Sequence, residues 1–592
     1  MGPIKPTCLS RLSTPAISRG CVSHFFHDHY TIAFSHQTPY RLTSVYRRYS
    51  SNAKSDSRPK HDPKYEEFYK YQGGRWLWDE EKDMGLRYKE FNRPRQSGQI
   101  DVNISARLKT ASTTVFRLTM DNGVVAIATL PYLIDGNPAY YSTASTAATM
   151  EFVRTVLGIP VHRVLAWEAD GENPVGSEYI LAEEARGTQL IDAWPNMGRR
   201  DQVAVIQDLV SIHRKLLSVT FNRYGSLYFS DSKVKGTPAE IRGFATPAVQ
   251  QDVMDKFVIG PTTESGFWFK ERAKMNIDRG PYYRVTPVEY ALAVGQREID
   301  WMNQFANSRE VDIDPDGPPT EENLSTKAHL SLLNMYMRIA PMLLPEDPEL
   351  VASSLWNPHL HGDNVFLEGN RISAISGWNH TWAGPLFTEA SPPAFVKIEG
   401  DGLTLEYPEN YKDLEEDEKR EIDKKVSQSV FRYAYQEFVS MEVPQLDRLF
   451  NFEFCKIRAW PVSLCASSWG EDDICRFREG LMKIQRRWEF LGIEGSIPYS
   501  FSDEELKAQA DAATKFNETQ DFLDMISHLV DRNGWTSKYP YPQALELLAE
   551  VGREVLQSDD VSKSTKAQFQ EWIDRESELK GEKDVQRPTS YV

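Results

Sequence analysis

Alternating apolar residues in the first third of the chain predict a small β-sheet. The runs TVFRLT (114–119) and VVAIAT (124–129) flank Asp121-Asn122-Gly123, and Asn-Gly between two apolar runs is a strong signal for a β-hairpin. A helix is predicted over 143–157, and the apolar run EYILAE (178–183) predicts a buried strand. Together these patterns indicate a lobe that is rich in antiparallel strands.

Further along the chain the spacing of apolar residues becomes helical. In the segment 199–219 they recur every three or four positions, which is the spacing of one helix face. Another helix is predicted over 328–344, and most of 410–590 has a helical pattern. The aromatic segment 250–285 is predicted to be a loop, whereas 364–367 and 371–376 predict one embedded hairpin. The fold class is therefore α+β, with a small antiparallel β-rich lobe followed by a large, mostly helical lobe.

Composition and charge narrow the classes of function. The 592 residues include 68 Lys and Arg against 85 Asp and Glu, a net charge of −17, and this acidity disfavours broad, charge-driven binding of nucleic acid. The chain contains no uncharged apolar run of about 18 residues, so no membrane-spanning helix is predicted. The remaining values are ordinary for a globular protein and exclude collagen-like, disulfide-scaffold and wholly disordered classes.

The first 50 residues have the opposite charge to the rest. They contain six basic residues and one acid, Asp28, so the remaining 542 residues have a net charge of −22. A basic, Ser-rich and acid-poor beginning is typical of an organelle transit peptide, and Arg47-Arg48-Tyr49-Ser50 resembles a site cut by mitochondrial processing peptidases. We therefore predict a mitochondrial protein, in the matrix or peripheral to the inner membrane. A merely disordered basic tail is the alternative interpretation.

Five regions follow from these patterns. The aromatic-dense stretch 65–79 is predicted to pack on the larger body and is assigned to the small lobe. The three cysteines beyond the transit peptide, Cys455, Cys465 and Cys475, match no zinc spacing and are predicted to be small buried apolar residues. The predicted regions are a transit peptide at 1–49, a linker at 50–64, an N-terminal extension and β-rich small lobe at 65–183, a helical large lobe at 184–558, and a charged tail at 559–592.

The segment 355–387 resembles the catalytic stretch of fungal aminoglycoside-phosphotransferase-like proteins. It reads LWNPHLHGDNVFLEGNRISAISGWNHTWAGPLF, where that family has roughly H-P-D-L-H-x-x-N-I-F-V, a short hairpin, I-D-W and a PLF tail. The resemblance covers about 65–555 and points to a mitochondrial branch of the family. It implies a protein-kinase-like two-lobed fold, for which ATP and Mg²⁺ are the expected cofactors. Six further segments resemble the same group in the same order: GRWLWDE (74–80), TASTAATMEFVRTVLGIPV (143–161), YGSLYF (224–229), FVIGP (257–261), DRGP (278–281) and RRWEFLG (486–492).

The same resemblance shows which catalytic residues this chain lacks. Phosphoryl transfer on this fold uses a Gly-rich loop, a basic residue on a strand with a helix acid, a loop Asp, and an Asn and a second Asp that hold Mg²⁺. The Gly-rich position falls on 108–114, which contains no glycine, and Asn357 replaces the leading His of the loop. Only Asn364, at the metal-binding Asn position, and His361 remain. Four positions have lost their expected charged residue: the strand basic residue is Thr129, the helix acid is Thr146, the catalytic Asp is His359 and the metal Asp is Gly377.

A shifted alignment of the loop is the alternative. His361-Gly362-Asp363 resembles the H-G-D of bacterial relatives, and this register would place Glu368 at the metal-binding Asn position, inside a tight turn. We favour Asn364, because a strand is predicted to begin directly after it. Neither register restores an acid at Gly377, and neither changes the small-lobe losses.

These losses favour a degenerate, pseudokinase-like protein that binds or scaffolds an unknown mitochondrial protein or small molecule in mitochondrial maintenance or inheritance. Losing one charge-stabilising group typically costs a factor of about 10²–10³ in rate, and here several are replaced. The alternative is an active ATP-dependent small-molecule phosphotransferase that uses His361 and Asp363, with a purely structural His361 as the competing interpretation. Nucleotide binding without transfer also stays open, because a purine could meet the backbone of the inter-lobe strand Ile180, Leu181, Ala182 and Glu183.

Overall fold

The described part of the chain covers most of the two predicted lobes. A computed structural model describes residues 74–76, 103–109, 113–120, 123–131, 138–283, 287–306, 326–393, 396, 403–452, 455–465, 471–510, 526, 529–530, 535–537, 541–557 and 570. The predicted transit peptide, the linker and all of the charged tail except residue 570 lie outside these residues. Their boundaries therefore stay predictions.

The small lobe is built on a five-stranded antiparallel sheet. A short strand, β1 (Gly74–Trp76), precedes it and pairs with a strand near the other end of the chain. The order across the main sheet is β2-β3-β4-β6-β5. Its elements in chain order are β2 (Asn103–Lys109), β3 (Thr113–Thr119), β4 (Val125–Pro131), helix α1 (Tyr141–Thr155), β5 (Val164–Glu168) and β6 (Tyr179–Glu183).

The hairpin predicted around Asn122-Gly123 is confirmed. Strands β3 and β4 pair from Thr119↔Val125 outwards, and the amide of Met120 donates to the Val124 carbonyl at 2.8 Å. Gly123 has φ +78°, a backbone conformation that glycine adopts without steric cost. Strand β6 differs from the expectation, because within it only Ala182 is fully buried.

Helix α1 belongs to the cores of both lobes. Its small residues Ala144, Ala147 and Ala148 are at most 1% exposed, which lets the helix lie close to the strands beneath it. Phe152 on the same helix packs against Phe221 and Phe257 of the large lobe, with ring centroids 5.4 and 5.6 Å apart. The two lobes therefore share a hydrophobic core at this helix.

The large lobe is mostly helical, as predicted. The periodic segment at 199–219 forms α3, whose apolar face is buried. The helices are α2 (Leu190–Ala193), α3 (Arg199–Leu216), α4 (Pro247–Lys256), α5 (Pro287–Phe305), α6 (Thr326–Leu343), α7 (Leu386–Glu389), α8 (Glu416–Glu442), α9 (Pro444–Asn451), α10 (Cys455–Cys465), α11 (Glu471–Arg487) and α12 (Tyr541–Gln557). The strands are β7 (Thr188–Gln189), β8 (Val219–Phe221), β9 (Arg223–Tyr224), β10 (Ser226–Phe229), β11 (Thr237–Pro238), β12 (Ile241–Gly243), β13 (Phe257–Gly260), β14 (Tyr282–Tyr283), β15 (Ser353–Trp356), β16 (Val365–Glu368), β17 (Arg371–Ile375), β18 (Trp382–Pro385) and β19 (Trp535–Ser537).

The prediction of a loop over 250–285 is wrong for residues 250–260. This region contains most of α4 and then β13, which pairs with both β10 and β11. Phe257 and Ile259 are buried on one face of β13, and Gly260 allows Tyr228 to approach, since a Cβ there would lie 2.9 Å from its ring. A four-residue strand bounded by Gly-Pro is too short to give a clear periodic signal. From 262 to 281 the chain forms loops and two short 3-10 helices, Ser265–Phe267 and Lys270–Lys274, and it then enters β14.

The connection between the lobes is paired with the embedded hairpin. Strands β16 and β17 confirm the predicted hairpin, and β7 adds to its other edge through Gln189↔Phe366 and Thr188↔Leu367. Gly187 has φ +95°, and a Cβ on it would lie 1.9 Å from the Leu367 carbonyl oxygen. Just before it, Glu184 accepts hydrogen bonds from Arg117 at 2.5 and 3.2 Å. The connection is therefore held by both lobes.

The structure of the described residues agrees with two predictions from the sequence, one for the cysteines and one for membrane-spanning helices. Cys455 and Cys465 are buried and Cys475 is half-buried, and all three are free thiols. Burial raises the pKa of Cys455 to about 12, so this thiol is not a reactive group at neutral pH. In the described residues, no helix has both the length and the apolar character needed to cross a membrane.

A buried ion cluster holds the segment 262–283 to the helical core. Glu298 on α5 accepts hydrogen bonds from Arg272 at 2.9 Å and from Arg297 at 2.7 Å, and these side chains are at most 2% exposed. Burial favours the neutral acid, but the two guanidinium groups outweigh it and hold the pKa of Glu298 below its ordinary value. The Arg272 guanidinium also stacks 4.3 Å from the Trp301 ring centroid. This cluster joins the short 3-10 helix Lys270–Lys274 to the centre of a long helix.

Replacing Glu298 by Gln should destabilise the protein strongly, because two buried guanidinium groups would lose their counter-charge. We expect the free energy of unfolding to fall by about 3–5 kcal/mol in urea titrations. Glu289→Gln, at an exposed position of the same helix, is the matched control and should be near neutral. Equal stability of the two variants would contradict a structural role for the cluster.

Candidate functional site

The site lies in the loop 357–364 between β15 and β16. Its backbone is held by its own hydrogen bonds, since the amide of His359 donates to Asn357 Oδ1 at 2.8 Å and the amide of Asn364 donates to the His361 carbonyl at 3.0 Å. Trp356 immediately before the loop is buried and stacks on His213 at 4.7 Å between ring centroids. The loop is therefore fixed at both ends, as a catalytic loop of this fold would be.

Both polar atoms of the Asn364 side-chain amide have hydrogen-bond partners. Its Nδ2 donates to the His359 carbonyl at 3.0 Å and lies 3.1 Å from His361 Nε2, while Oδ1 accepts from Ser376 Oγ at 3.1 Å. Strand β16 begins at Val365, directly after Asn364, and Glu368 lies at the far end of that strand. The amide thus stabilises the loop and the start of the hairpin.

Gly377 leaves no space for a metal-binding side chain. It has φ +71°, and a Cβ built on it would lie 2.3 Å from Asn364 Nδ2 and 2.7 Å from Asn364 Cγ. The amide of Asn364 occupies the place into which an Asp at 377 would have to extend. Within the residues that the structure describes, no three His, Cys, Asp or Glu side chains are gathered to hold a metal ion. Asn364 and Gly377 do not fit the Mg²⁺ that the resemblance implies, because proteins usually bind Mg²⁺ through one or two carboxylates and neither residue has one.

Two imidazoles, those of His361 and His380, lie near His359, which stands at the position of the catalytic Asp. The ring of His359 lies 6.4 Å from that of His361 and 6.4 Å from that of His380, measured between centroids. His380 has φ +57°, an uncommon conformation for a residue other than glycine, and its Nδ1 donates to the Thr263 carbonyl at 3.0 Å. His359 Nε2 is buried without a hydrogen-bond partner. Two imidazoles binding one metal ion would need to lie closer than this.

Burial keeps this part of the site uncharged at neutral pH. Desolvation, reinforced by repulsion from His380 and His361, lowers the pKa of His359 to about 4. Burial also lowers the pKa of His380. A carboxylate would give a negative charge at the position of His359, and the neutral imidazole gives none.

The solvent side of the loop contains a His–Asp pair. His361 Nδ1 lies 3.4 Å from Asp363 Oδ2, and the two side chains are 44% and 56% exposed. The backbone carbonyl of Asp363 accepts from Gln189 Nε2 at 2.8 Å, so the inter-lobe connection also touches this end of the loop. These two residues are therefore accessible to a ligand from solvent.

The small-lobe positions named from the sequence are strand and helix residues with no charge. Thr129 on β4 pairs with Ile180 of β6, and Thr146 lies half-buried on α1. Strand β6 lies between β4 and β5, and the stretch from Ile180 to Ala182 is paired on both sides. The amide of Glu183 donates to the Arg163 carbonyl. A purine would therefore have to meet the backbone beyond Glu183.

Two contributors to the site were not predicted. His380 lies beyond Gly377 at a position without a motif residue, and Thr263 lies in the segment predicted to be a loop. Thr263 is fully buried, and its amide donates to Ser226 Oγ at 2.9 Å, which fixes the carbonyl that orients His380. Nothing in a single sequence relates positions 263 and 380, because the contact depends on the packing of the loop.

The comparisons with known proteins confirm the resemblance predicted from the sequence. The chain is 25% identical over 521 residues to altered inheritance of mitochondria protein 9, mitochondrial, from Yarrowia lipolytica, with 81% of this chain and 86% of that protein covered. It is 28% identical over 474 residues to a subtelomeric hrmA-associated cluster protein of Aspergillus fumigatus, covering 73% of this chain and 89% of the relative. No family model matches the chain.

Among solved structures, the ADP-bound aminoglycoside phosphotransferase APH(2'')-Ib is similar at 10% sequence identity and a TM-score of 0.33, covering 65% of this chain and 94% of that one. A likeness at this level supports no conclusion about function. The two-lobed, kinase-like α+β architecture is seen directly in the order of the strands and helices described above.

Replacing Gly377 by Ala should reveal the contact with Asn364. Gly369→Ala is the matched control, because Gly369 also has positive φ (+62°) but has nothing within 4 Å of a built Cβ. The control should lower the free energy of unfolding by about 1–2 kcal/mol through backbone strain alone, and Gly377→Ala should cost about 1–3 kcal/mol more through overpacking. In an Asn364→Ala background the additional cost should shrink. Equal losses for both glycines, measured by urea unfolding, would contradict the contact.

The buried imidazole of His359 should make the folded protein less stable as the pH is lowered. Its folded pKa of about 4 lies below the ordinary value of 6.5, so the unfolded state binds a proton between these values that the folded state does not. Stability due to this group is therefore complete above about pH 6.5 and is lost as the pH falls towards 4. Thermal unfolding of His359→Gln should depend less steeply on pH in this window than that of the wild type. Parallel curves would contradict the burial.

Proposed function

We propose that this chain is a mitochondrial kinase-fold protein that acts as a binding or scaffolding module and does not transfer phosphoryl groups through Mg²⁺. The observation that supports this most strongly is the contact at the metal position, where the Asn364 amide would lie 2.3 Å from a Cβ at Gly377. The glycine at position 377 is thus packed directly against the Asn364 side chain. Adding back one acid would not reopen a site that another side chain fills.

The charges of the cleft support the same proposal. Catalysis of phosphoryl transfer is almost entirely positioning and electrostatic stabilisation. Thr129 and Thr146 bring no charge from the small lobe, and His359 is neutral at physiological pH because of its burial. The loop keeps its backbone while the groups that would act on phosphate are absent. Such a loop is suited to recognition of a ligand or partner.

The mitochondrial location is supported by two independent observations. The first 50 residues are basic and nearly free of acids, and the Yarrowia relative is named both mitochondrial and for altered inheritance of mitochondria. From the name of this relative we infer that the chain has a role in mitochondrial maintenance or inheritance. The partner that it binds is then a mitochondrial protein or small molecule.

A second candidate function rests on the exposed pair of His361 and Asp363. His361 Nδ1 and Asp363 Oδ2 are 3.4 Å apart, and both side chains are accessible. The imidazole could therefore take the proton of the substrate hydroxyl that receives the phosphoryl group, while the carboxylate holds a cation. This would make the chain an ATP-dependent small-molecule phosphotransferase that uses substitute groups.

Nucleotide titrations of the chain from Ser50 separate these functions. For the binding module we expect no Mg²⁺-dependent rise in melting temperature with ATP or GTP and no release of ADP or GDP. A Mg²⁺-dependent shift together with turnover would contradict the proposal. If turnover were then lost in Asp363→Asn but kept in Asp231→Asn, at another exposed aspartate, the second candidate would be supported. A shift without turnover would mean nucleotide binding without transfer.

A further inference from the structure

A groove at the start of α8 has no part in the function proposed above. The segment 403–414 folds back against this helix, with the amide of Thr404 donating to Ser429 Oγ and the hydroxyl of Tyr411 donating to Asp423, both at 2.9 Å. The space between them has a volume of about 490 Å³. It is lined by Pro408, Asn410, Leu414, Glu418, Glu421 and Ile422. No residue of the loop 357–364 contributes to it.

The floor of the groove is apolar. Leu414 and Ile422 are half-buried, and Pro408 lines the same space. Leu405 and Tyr407, in the same folded-back segment, are 45% and 43% exposed. Single exposed apolar residues are ordinary on protein surfaces, but here three line one space and two more lie within three residues of Pro408 along the chain. This surface is suited to accept an apolar side chain from outside.

The rim of the groove is acidic. Glu421 and Ile422 follow Glu418 by three and four positions, so both lie on the same face of α8 as Glu418. Both glutamates are exposed. Lys419 pairs with Glu416 at 3.1 Å, and Glu418 Oε2 accepts a hydrogen bond from the Glu415 amide at 3.2 Å. Between 403 and 425 the sequence contains nine acids and five basic residues, so this surface attracts cations and repels phosphates.

We propose that this groove docks a basic peptide segment of another polypeptide chain, with an apolar side chain against Leu414 and Ile422 and an Arg or Lys beside Glu418 and Glu421. Charge complementarity selects this occupant, because an anionic membrane or a nucleic acid would be repelled by the same rim. The apolar floor would supply most of the contact area with the peptide. The acidic rim would orient the peptide and make its binding depend on salt concentration.

A labelled peptide tests the groove in fluorescence anisotropy titrations. The probe is residues 36–50 of this chain, HQTPYRLTSVYRRYS, which has three arginines, several apolar residues and no acid. We expect saturable binding to the full-length chain that weakens as salt is raised. Glu421→Lys should weaken it about fivefold or more, and a peptide with its three arginines changed to glutamate should not bind. Glu504→Lys, the same charge change on the exposed face of the helix 503–510, is the matched control.

Three results would overturn the proposal. Binding that Glu421→Lys and Glu504→Lys weaken equally would reflect only the overall acidity of the chain. Binding to the chain from Ser50 but not to the full-length chain would assign the groove to the protein's own basic N-terminal segment. Self-association in sedimentation that Glu421→Lys abolishes would assign it to a second copy. Circular dichroism of each variant distinguishes a lost groove from a lost fold, and the nucleotide titrations do not depend on any of these outcomes.

Discussion

The buried carboxylate of Glu298 is the interaction on which the geometry of the site depends. A charge removed from water is costly unless it is paired and hydrogen-bonded, and Glu298 meets two guanidinium groups within 2.9 Å. Arg272 comes from the segment 262–283 and Arg297 from the helix, so the charge fixes one to the other. The hydrogen bond from the Thr263 amide to Ser226 Oγ holds the same segment at its other end.

From this cluster a continuous series of contacts leads to the loop. The segment held by Arg272 contains Thr263, whose carbonyl orients His380, and His380 packs near His359. His359 in turn lies within a loop whose backbone is closed by the amide of Asn364. Each step is neutral or internally compensated, so the buried side of the loop is held in place without a charge, and its one acid, Asp363, lies on the exposed side. Rigidity is what a catalytic loop and a recognition loop have in common, and charge is what separates them.

Much of the fold follows from local signals in the sequence, and the details of the site do not. Asn122-Gly123 between apolar runs and the apolar face of α3 are local patterns with a direct physical cause, and both were predicted correctly. Strand β13 was missed because four residues bounded by Gly-Pro give no periodic signal. The losses at His359 and Gly377 were visible as substitutions, but the packing of Asn364 into the space at Gly377 is a tertiary contact. The role of Thr263 depends likewise on tertiary contacts, since its partners Ser226 and His380 are 37 and 117 residues away in the sequence.

The pairing of β7 with the hairpin has a consequence for the cleft between the lobes. From Thr188 onwards the connection moves with the large lobe, since Gly187 already lies against the Leu367 carbonyl. On the other side, Glu184 is held by Arg117 of the small lobe. Only two residues, at positions 185 and 186, separate these attachments. Any rotation of one lobe against the other would therefore have to be absorbed by the backbone dihedral angles of this pair.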